Sequence, residues 1–333
     1  MVKVGIVGCG GIAGNHARAL QNIDDVSLSA FADIRRERAQ TFSQVYREGK
    51  AGVYGSLEEM LDQENLDVVH VCTPHYLHVP MTVLALKKGC DVFMEKPPAI
   101  SREQFQALTE AELQWGKEIG VCFQNRYNET TKKAGELLIQ GKIGTVRAAR
   151  AFVTWNRTAD YYKKSGWRGS WETEGGGALI NQSIHTLDLL VHFLGKHRQV
   201  EASMANHHLK GVIEVEDTVE AYISFEKAVG CFYATTAYGA DRPVLIELEG
   251  EKGRMRLEDT KLYVSMADGE EEEYSLKRRE IFGKSYWGDG HQACISDFYR
   301  CRRQGLPYQN SLESTAATFE LMMDIYESAK KIK

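Results

Sequence analysis

The sequence predicts an α/β protein in which a doubly wound parallel sheet is followed by a second domain with a mostly antiparallel sheet. Apolar strand-like runs alternate with helix-like stretches from Val2 to Phe123, and a glycine-rich turn follows the first run. Strand patterns then dominate from Val200 to Met266. Strands that alternate with helices of about 10–15 residues are typical of βαβ units, whose crossovers are nearly always right-handed.

The length fits two domains. The chain has 333 residues, and a domain commonly takes ~150 residues. The strand–helix alternation stops near residue 122, so we predict one domain at 1–122 and a second at 123–333.

The first domain is predicted to contain five strands joined by five helices. The strands are predicted at Val2–Val7, Val26–Ala32, Leu66–Cys72, Asp91–Met94 and Ile119–Phe123. The helices are predicted at Ile12–Gln21, Arg35–Tyr46, Leu57–Gln63, Pro80–Lys88 and Arg102–Gly116.

The second domain begins with a helix and then becomes rich in strands. The helices are predicted at Thr130–Gln140, from the glycines Gly175–Gly177 to Leu194, at Gln292–Arg303 and at Leu312–Lys331. The strands are predicted at Val146–Trp155, Val200–Asn206, Thr218–Phe225, Gly230–Tyr238, Val244–Leu248, Arg254–Leu257 and Leu262–Met266. Polar and apolar residues alternate in Glu220–Phe225, which indicates an antiparallel sheet with one buried face.

Composition excludes several classes of function. The formal net charge is −5, from 41 basic and 46 acidic residues, so we expect no nucleic-acid partner. No apolar run approaches ~18 residues and the start lacks signal-peptide character, so we expect no membrane association. Seven cysteines without a CxxC pair are typical of a reduced, cytoplasmic protein.

A phosphate-binding loop follows the first predicted strand. The segment from Gly8 to Ala13 matches G-x-G-x-x-A, which between a strand and a helix is a dinucleotide-binding pattern. Gly8 allows the tight turn, Gly10 lets a pyrophosphate approach the backbone, and Ala13 permits close helix packing. Gly11 and Ile12 complete the loop, and the N–H groups at the helix N-terminus attract the phosphates.

Asp33 ends the second predicted strand, 25 residues after Gly8. At this distance a carboxylate accepts hydrogen bonds from the adenosine ribose, which favours NAD. Arg35 and Arg36 follow closely and could bind a 2′-phosphate instead. NAD is therefore the predicted cofactor, and NADP stays open.

Two segments lie at the carboxyl ends of predicted strands, where open α/β sheets bind ligands. One contains Lys96, a cation placed directly after an apolar strand and before a proline. We predict that the crevice is lined by Thr73, Pro74, His75, Glu95, Lys96 and Pro97. His75 and His78 form an H-x-x-H pair, but no third and fourth ligand is nearby in sequence, so we predict no metal.

A polar stripe is predicted on the helix after the glycines. Asn181, His185, Asp188 and His192 follow at i, i+4, i+7 and i+11, which places them within ~60° of one another on a helix. One helix face therefore presents amide, imidazole and carboxylate groups together.

These motifs in combination resemble the Gfo/Idh/MocA family, the glucose–fructose oxidoreductase and inositol dehydrogenase group. The resemblance covers nearly the whole chain and rests on the Gly8–Ala13 loop, Glu95-Lys96-Pro97, Trp167-Arg168, Gly175–Asp188 and Gly290-His291. It implies a Rossmann domain plus an α/β domain with a large open, mostly antiparallel sheet. It also implies a homodimer or homotetramer formed through that sheet, and reversible NAD(P)-dependent oxidation of a secondary hydroxyl on a sugar, sugar nucleotide or cyclitol.

The resemblance also implies catalytic roles. Lys96 would polarise the reacting oxygen and His185 would take the hydroxyl proton, while Asp188 would orient His185. Asn181 stands where many inositol dehydrogenases carry Asp, which removes a negative charge and makes that activity less expected. The Asn-Gln-x-Ile-His form and Ile213–Thr218 look more like members that act on glucosides or UDP-N-acetylhexosamines.

Five further residues are predicted to contact substrate. They are Arg126, Tyr162, Trp167, Arg168 and His291. Trp can stack on a sugar face, and Arg can bind hydroxyls or a phosphate.

Two other functions stay open at this point. One is a glycosidase that oxidises its substrate transiently with NAD and forms no net NADH. The other is a cofactor-binding sensor or repressor without catalysis, against which the retention of Lys96 and His185 argues.

Overall fold

The structure is a computed structural model that describes residues 1–276 and 290–331. Its contacts divide the chain into two compact units. The first consists of Met1–Gln124 and the described part of Ile281–Thr315. The second consists of the described parts of Asn125–Glu280 and Ala316–Lys333.

The first unit is built on a six-stranded sheet whose strand pairs are all parallel. The strands are β1 (Val2–Val7), β2 (Val26–Ala32), β3 (Gly52–Tyr54), β4 (Val68–Val71), β5 (Asp91–Met94) and β6 (Ile119–Val121). The helices are α1 (Ala13–Gln21), α2 (Arg36–Arg47), α3 (Leu57–Gln63), α4 (His75–Lys87) and α5 (Arg102–Trp115).

The strand order β3-β2-β1-β4-β5-β6 makes the pair β1 and β4 the point where the chain changes direction across the sheet. Every residue of β4 and β5 is buried, as expected for strands covered on both faces. Ligands of such sheets bind beyond the carboxyl ends of the strands at this switch point. The loops after β1, β4 and β5 therefore share one edge.

The structure differs from the sequence prediction at two places in this unit. The strand β3 is only three residues long, too short for a periodic pattern to reveal. The helix α4 begins at His75 and contains Pro80, although the sequence predicts its start at Pro80. Pro74 stands at its N-cap, and the ring of Pro80 costs the helix one interior hydrogen bond.

Residues from the C-terminal part of the chain complete this unit. The helix α9 (His291–Gln304) packs on α1. The backbone N–H of Val121 donates to the carbonyl of Asn310 at 2.9 Å, and Arg302 donates to the Asp91 carboxylate at 2.7 Å. These residues fall within 123–333 in sequence, whereas their contacts join them to the first sheet.

The second unit is built on an eight-stranded sheet of order β14-β13-β12-β11-β7-β10-β9-β8. The strands are β7 (Val146–Thr154), β8 (His197–Ala205), β9 (Thr218–Phe225), β10 (Val229–Thr235), β11 (Leu245–Gly250), β12 (Gly253–Glu258), β13 (Lys261–Met266) and β14 (Glu271–Ser275). Its helices are α6 (Glu129–Ile139), α7 (Ala159–Lys163), α8 (Ile184–Leu194) and most of α10 (Leu312–Lys331), with a π-helical segment at Ala178–Ser183.

Neighbouring strands of this sheet pair antiparallel, apart from the parallel pair β7 and β10. Buried and more exposed residues alternate along β9, and the π-helical segment packs on β9 and β10. The opposite face carries exposed side chains such as Tyr222 and Val229. The α/β class with one parallel and one mostly antiparallel sheet is thus confirmed.

Within the residues that the structure describes, every helix is too short or too polar to cross a lipid bilayer.

Candidate functional site

The loop after β1 has the geometry of a phosphate cradle. Gly8 has φ +86°, and a Cβ there would lie 2.8 Å from the carbonyl of Cys72, so only glycine fits. A Cβ on Gly10 would meet no atom within 4 Å, so this part of the backbone is open to a ligand. A cavity of about 260 Å³ lies beside it, lined by Cys9, Gly10, Gly11, Arg38, Thr41 and Phe42.

Asp33 is fixed at the side of this loop by two backbone donors. The N–H of Cys9 donates to one carboxylate oxygen and the N–H of Arg35 donates to the other, each at 2.8 Å. Arg36 donates to the carbonyl of Val53 at 3.0 Å. The cation that lines the cavity is Arg38, which sequence reasoning missed because α2 places it one turn beyond the arginine pair.

Cys9 is a packing residue of the loop. Burial, with the charge of Asp33, raises the pKa of its thiol to about 12. The thiol donates to the carbonyl of Ala32 at 3.7 Å. A thiol with this pKa is a poor nucleophile at neutral pH.

His78 joins the two predicted crevice segments. Its Nδ1 lies 2.7 Å from the carbonyl of Pro97 and its Nε2 lies 2.9 Å from the carbonyl of Thr73. Only an imidazolium can donate to both carbonyls at once. Burial lowers the pKa of His78, which favours the neutral ring, and a neutral ring donates to one carbonyl at a time. The pair His75 and His78 thus serves local geometry, with ring centroids 5.7 Å apart.

Thr73 carries a buried polar atom at the carboxyl edge of the first sheet. Its hydroxyl oxygen has no hydrogen bond within the described part of the chain. It follows β4 at the carboxyl edge of the sheet, where the glycine loop also lies. A ligand hydroxyl or amide in the crevice would satisfy it.

Glu95 heads a chain of buried hydrogen bonds. Its carboxylate lies 3.0 Å from His16 Nε2, His16 Nδ1 lies 2.8 Å from His70 Nδ1, and His70 Nε2 lies 2.8 Å from the Tyr299 hydroxyl. Burial lowers the pKa of His70. One arrangement of the protons lets every bond point the same way, from the Tyr299 hydroxyl to the Glu95 carboxylate.

Glu95 is held as an anion next to Lys96. Burial raises the pKa of Glu95, but the hydrogen bond from His16 and the charge of Lys96 outweigh it and hold that pKa well below its usual range. Burial lowers the pKa of His291 to about 4, so this imidazole at the start of α9 is neutral near pH 7.

The side chains of His16, Glu95 and Cys122 bring three ligand-type atoms within 4.8 Å of one another. Glu95 is already bonded to His16, and burial raises the pKa of the Cys122 thiol well above its usual range. A metal would need the thiolate. The cluster fits a hydrogen-bonded core better than a metal centre.

The glycines before the π-helical segment are required by close contacts in the second unit. A Cβ on Gly176, where φ is +154°, would lie 1.9 Å from the Tyr326 hydroxyl. A Cβ on Gly177 would lie 2.0 Å from the carbonyl of Glu216. The segment therefore enters its helix through a gap that no side chain fits.

Two buried carboxylates hold this segment. Glu216 accepts from the N–H groups of Gly177 and Leu179 at 3.0 Å and from the Tyr326 hydroxyl at 2.9 Å. Glu174 accepts from Asn181 Nδ2 and from the N–H of Gly169, each at 2.5 Å. Nothing in the sequence indicates Glu174 as a partner of this segment, and Ile213–Thr218, which contains Glu216, stands out there only for its resemblance to family members.

The single helix that the sequence predicts consists of a π-helical segment followed by an α-helix. Asn181 lies in the π-helical segment, and α8 begins at Ile184, so one regular helix does not carry the whole stripe. His185 lies in the first turn of α8 and is partly exposed, whereas His192 is exposed.

Asp188 is buried in an ion pair. Arg126 donates to both of its oxygens, at 2.8 and 2.5 Å, and the Thr318 hydroxyl donates at 2.8 Å. The pair joins Arg126, after β6, to α8. The two residues are 62 apart in sequence, which is why the sequence analysis treated them separately.

The predicted substrate-loop residues form two groups. Tyr162 is buried with Leu209, Ile213 and Val215. Arg168 lies 4.6 Å from the Trp167 ring centroid and 4.7 Å from that of Tyr161. Gln182 Nε2 donates to the Tyr161 hydroxyl at 3.3 Å, which links this aromatic–arginine stack to the π-helical segment.

Comparison with known proteins matches both halves of the chain. Residues 2–123 match the model of the oxidoreductase family with an NAD-binding Rossmann fold, and residues 131–256 match the GFO/IDH/MocA C-terminal domain.

Three relatives illustrate the range. D-glucoside 3-dehydrogenase of Escherichia coli is 33% identical over 58% of this chain and 54% of its own length. Trans-1,2-dihydrobenzene-1,2-diol dehydrogenase of Mus musculus is 26% identical over 99% of this chain and 96% of its own length. The WlbA dehydrogenase of Bordetella pertussis, crystallised with NADH and UDP-GlcNAcA, is 29% identical with a TM-score of 0.84 over 99% and 96% of the two chains.

Proposed function

The chain belongs to the GFO/IDH/MocA oxidoreductase family, and on this premise we propose that it oxidises a secondary hydroxyl of a carbohydrate. The substrate class is a sugar, glucoside, sugar nucleotide or cyclitol. Relatives that act on glucosides, inositol and dihydrodiols support this class. The proposed reaction transfers a hydride between that hydroxyl and the nicotinamide.

The observation that carries the proposal is the position of Lys96. It follows the buried strand β5 and the ionised Glu95, at the sheet edge where the phosphate loop lies. A fixed cation at this edge stabilises negative charge on a reacting oxygen.

The first unit is an NAD-binding Rossmann domain, and its residues fit that cofactor. The open backbone at Gly10, the adjoining cavity and the buried Thr73 hydroxyl are the features that would hold it. Bound NAD supplies the hydride acceptor. Asp33 favours NAD over NADP because a 2′-phosphate would meet its carboxylate, although Arg38 at the cavity is a cation that NADP could use.

We assign the proton step to His185. An imidazole in the first turn of α8 can accept the hydroxyl proton in its neutral form. The ion pair of Asp188 with Arg126 holds α8 in place, so these two residues act on His185 through the position of the helix. Asn181 lies one turn earlier on the same chain segment.

The aromatic–arginine stack is the proposed platform for the sugar. A ring face such as that of Trp167 packs against the C–H face of a pyranose, and a guanidinium binds hydroxyls or an anionic group. Trp167 and Arg168 are therefore proposed substrate contacts. Tyr162 packs in the hydrophobic cluster with Leu209, Ile213 and Val215, and His291 lies close enough to Lys96 to feel its charge.

The proposal is tested by a substrate screen that follows NADH absorbance. Wild type is incubated with NAD and a panel of sugars, glucosides, sugar nucleotides and cyclitols. Lys96→Ala and His185→Ala should each lower kcat by about 10²–10⁴-fold, because each removes a group that acts on the transferring charge or proton. NAD affinity, measured by fluorescence quenching, should stay near the wild-type value.

Matched controls are Lys227→Ala and His208→Ala, which remove an exposed lysine and an exposed histidine. Both should keep wild-type kcat. Glycoside cleavage without net NADH would indicate the transient-oxidation glycosidase. Tight NAD and sugar binding with no turnover would indicate the sensor, and either result would overturn the dehydrogenase proposal.

The remaining expectations concern assembly and location. We propose a homodimer or homotetramer that forms through the second sheet, because Tyr222 is 51% and Val229 40% exposed on its outer face. All seven cysteines are free, which supports a cytoplasmic location.

A further inference from the structure

Glu174 is an acidic side chain that the proposed reaction does not use. Glu174 directly precedes the three glycines in sequence, and its side chain is fully buried, with 0% exposure. Its two oxygens accept from different donors. The N–H of Gly169 bonds to Oε2 and Asn181 Nδ2 bonds to Oε1.

Asn181 is the partner that connects Glu174 to the proposed chemistry. It lies in the π-helical segment four residues before His185, and its own N–H donates to the carbonyl of Gly177 at 3.1 Å. A side-chain amide has a donor end and an acceptor end. With Nδ2 bonded to Glu174, Oδ1 is directed away from that carboxylate.

We propose that Glu174 is a positioning residue for the oxidation proposed above, and that its ionised form sets which end of the Asn181 amide faces the substrate. A carboxylate can only accept, so it holds Nδ2. When Glu174 is protonated, its Oε2 still has to accept from the Gly169 backbone N–H, which cannot turn over. The O–H then lies on Oε1 and faces Nδ2, and two donors cannot bond. The amide would then turn over so that Oδ1 accepts from Glu174.

The surroundings of Glu174 keep both forms accessible. Burial raises its pKa to about 7, against the hydrogen bonds from Gly169 and Asn181 and the charge of Arg168, while the buried Glu216 raises it further. Tyr162 and Tyr326 also face it electrostatically. Their own pKa values are raised by burial, so both stay neutral. Of these neighbours, only the carboxylate Glu216 changes charge near neutral pH.

The contact offers a test in which the two groups exchange roles. In Glu174→Gln, the new amide cannot accept from both Gly169 and Asn181. In Asn181→Asp, two carboxylates face each other and repel. In the double variant, the amide introduced at position 174 would accept from the Gly169 N–H and donate to the carboxylate introduced at position 181. The double variant therefore restores both hydrogen bonds, and the negative charge moves from position 174 to position 181.

Each single variant should lower kcat by about 10-fold or more, because Glu174→Gln reverses the Asn181 amide and Asn181→Asp leaves two carboxylates facing each other. The double variant should return to within about 3-fold of wild type, which is coupling that independent sites do not show. Wild-type kcat should rise as Glu174 ionises around pH 7, and this step should vanish in the double variant. Glu201→Gln, at an exposed glutamate, is the matched control.

A second measurement does not depend on turnover. The side-chain amide resonance of Asn181, assigned by its loss in Asn181→Asp, should shift with pH near 7 in wild type and not in Glu174→Gln. A resonance that stays constant, or kcat without rescue in the double variant, would overturn the positioning role.

The inference rests on the proposed function, and the two fail differently. If no substrate is turned over, the proposed oxidation is wrong, and so is the proposed effect of Glu174 on kcat. The amide resonance would still decide whether the carboxylate controls Asn181.

Discussion

The buried carboxylate of Glu95 shows how a single residue depends on its partners. Taking a charge out of water costs several kcal/mol unless a donor compensates it. Here His16 is that donor, and His70 and Tyr299 continue the chain behind it. The sequence alone could place Lys96 and Glu95 at a strand end. It could not reveal His16 as their support, because the two segments meet only once the sheet has formed.

Replacement of His16 by alanine should destabilise the protein by about 3–5 kcal/mol, because Glu95 loses its donor and the His70 N–H loses its acceptor. Urea denaturation followed by circular dichroism measures this loss. His16→Gln keeps an N–H donor and should lose clearly less, and His208→Ala should be neutral. Equal stability of His16→Ala and wild type would contradict the role of His16 as the partner of a buried charge.

Among the elements, the π-helical segment is the one that departs most from expectation. The sequence predicts one helix from the glycines to Leu194. The structure has a wider turn at Ala178–Ser183 before α8. Periodicity shows a helix, but it cannot show that Glu174 and Glu216 bind the backbone and side chains at its start. The glycine run itself was visible, although its cause, the hydroxyl of Tyr326, was not.

Gly176→Ala should destabilise the protein by about 3 kcal/mol or more, because its Cβ would overlap the Tyr326 hydroxyl at a backbone angle that L-residues rarely adopt. The thermal midpoint of unfolding measures the effect. Gly135→Ala, inside α6 and with no atom within 4 Å of a new Cβ, is the matched control. It should stabilise the protein by about 0.5–1 kcal/mol. A neutral Gly176→Ala would show that the segment adapts freely.

For the whole molecule, the buried carboxyl groups set the pH range of stability. Burial raises the pKa of Glu174 to about 7 and that of Glu216 to about 6, whereas the pKa of Glu95 is held low. A group whose pKa is higher in the folded state favours folding below its unfolded value, and that contribution disappears as pH rises through the folded value. Glu95 acts in the opposite direction, since its contribution disappears as pH falls below about 4.5.

Stability should therefore be greatest near pH 5 and should decline towards pH 8. The decline from Glu174 alone is on the order of 3 kcal/mol. Thermal melts across this pH range, compared between wild type and Glu174→Gln, test it. The variant should lose less stability on the alkaline side. Identical pH profiles for both proteins would mean that Glu174 ionises as easily when folded as when unfolded.

At this largest scale the sequence predicted the class and the two sheets well, because each β-strand beyond a few residues carries its own pattern. The sequence did not reveal which segments of the chain make up the first unit. No local pattern shows that Asn310 and α9 return to the first unit, since the contacting residues lie 187 positions apart for Asn310 and Phe123 and 273 for Gln292 and Ala19.

This return has a consequence for synthesis on the ribosome. The six parallel strands emerge from the ribosome early. The segment that hydrogen-bonds to β6 and the helix that packs on α1 come from residues beyond 290. At ~5–20 residues per second, roughly 10–50 s pass before they leave the ribosome. During that time the nascent first unit presents an open sheet edge and an uncovered helix, which are the features that chaperones bind. The order in which the chain is made thus leaves its NAD-binding unit incomplete until the residues beyond 290 have been synthesised.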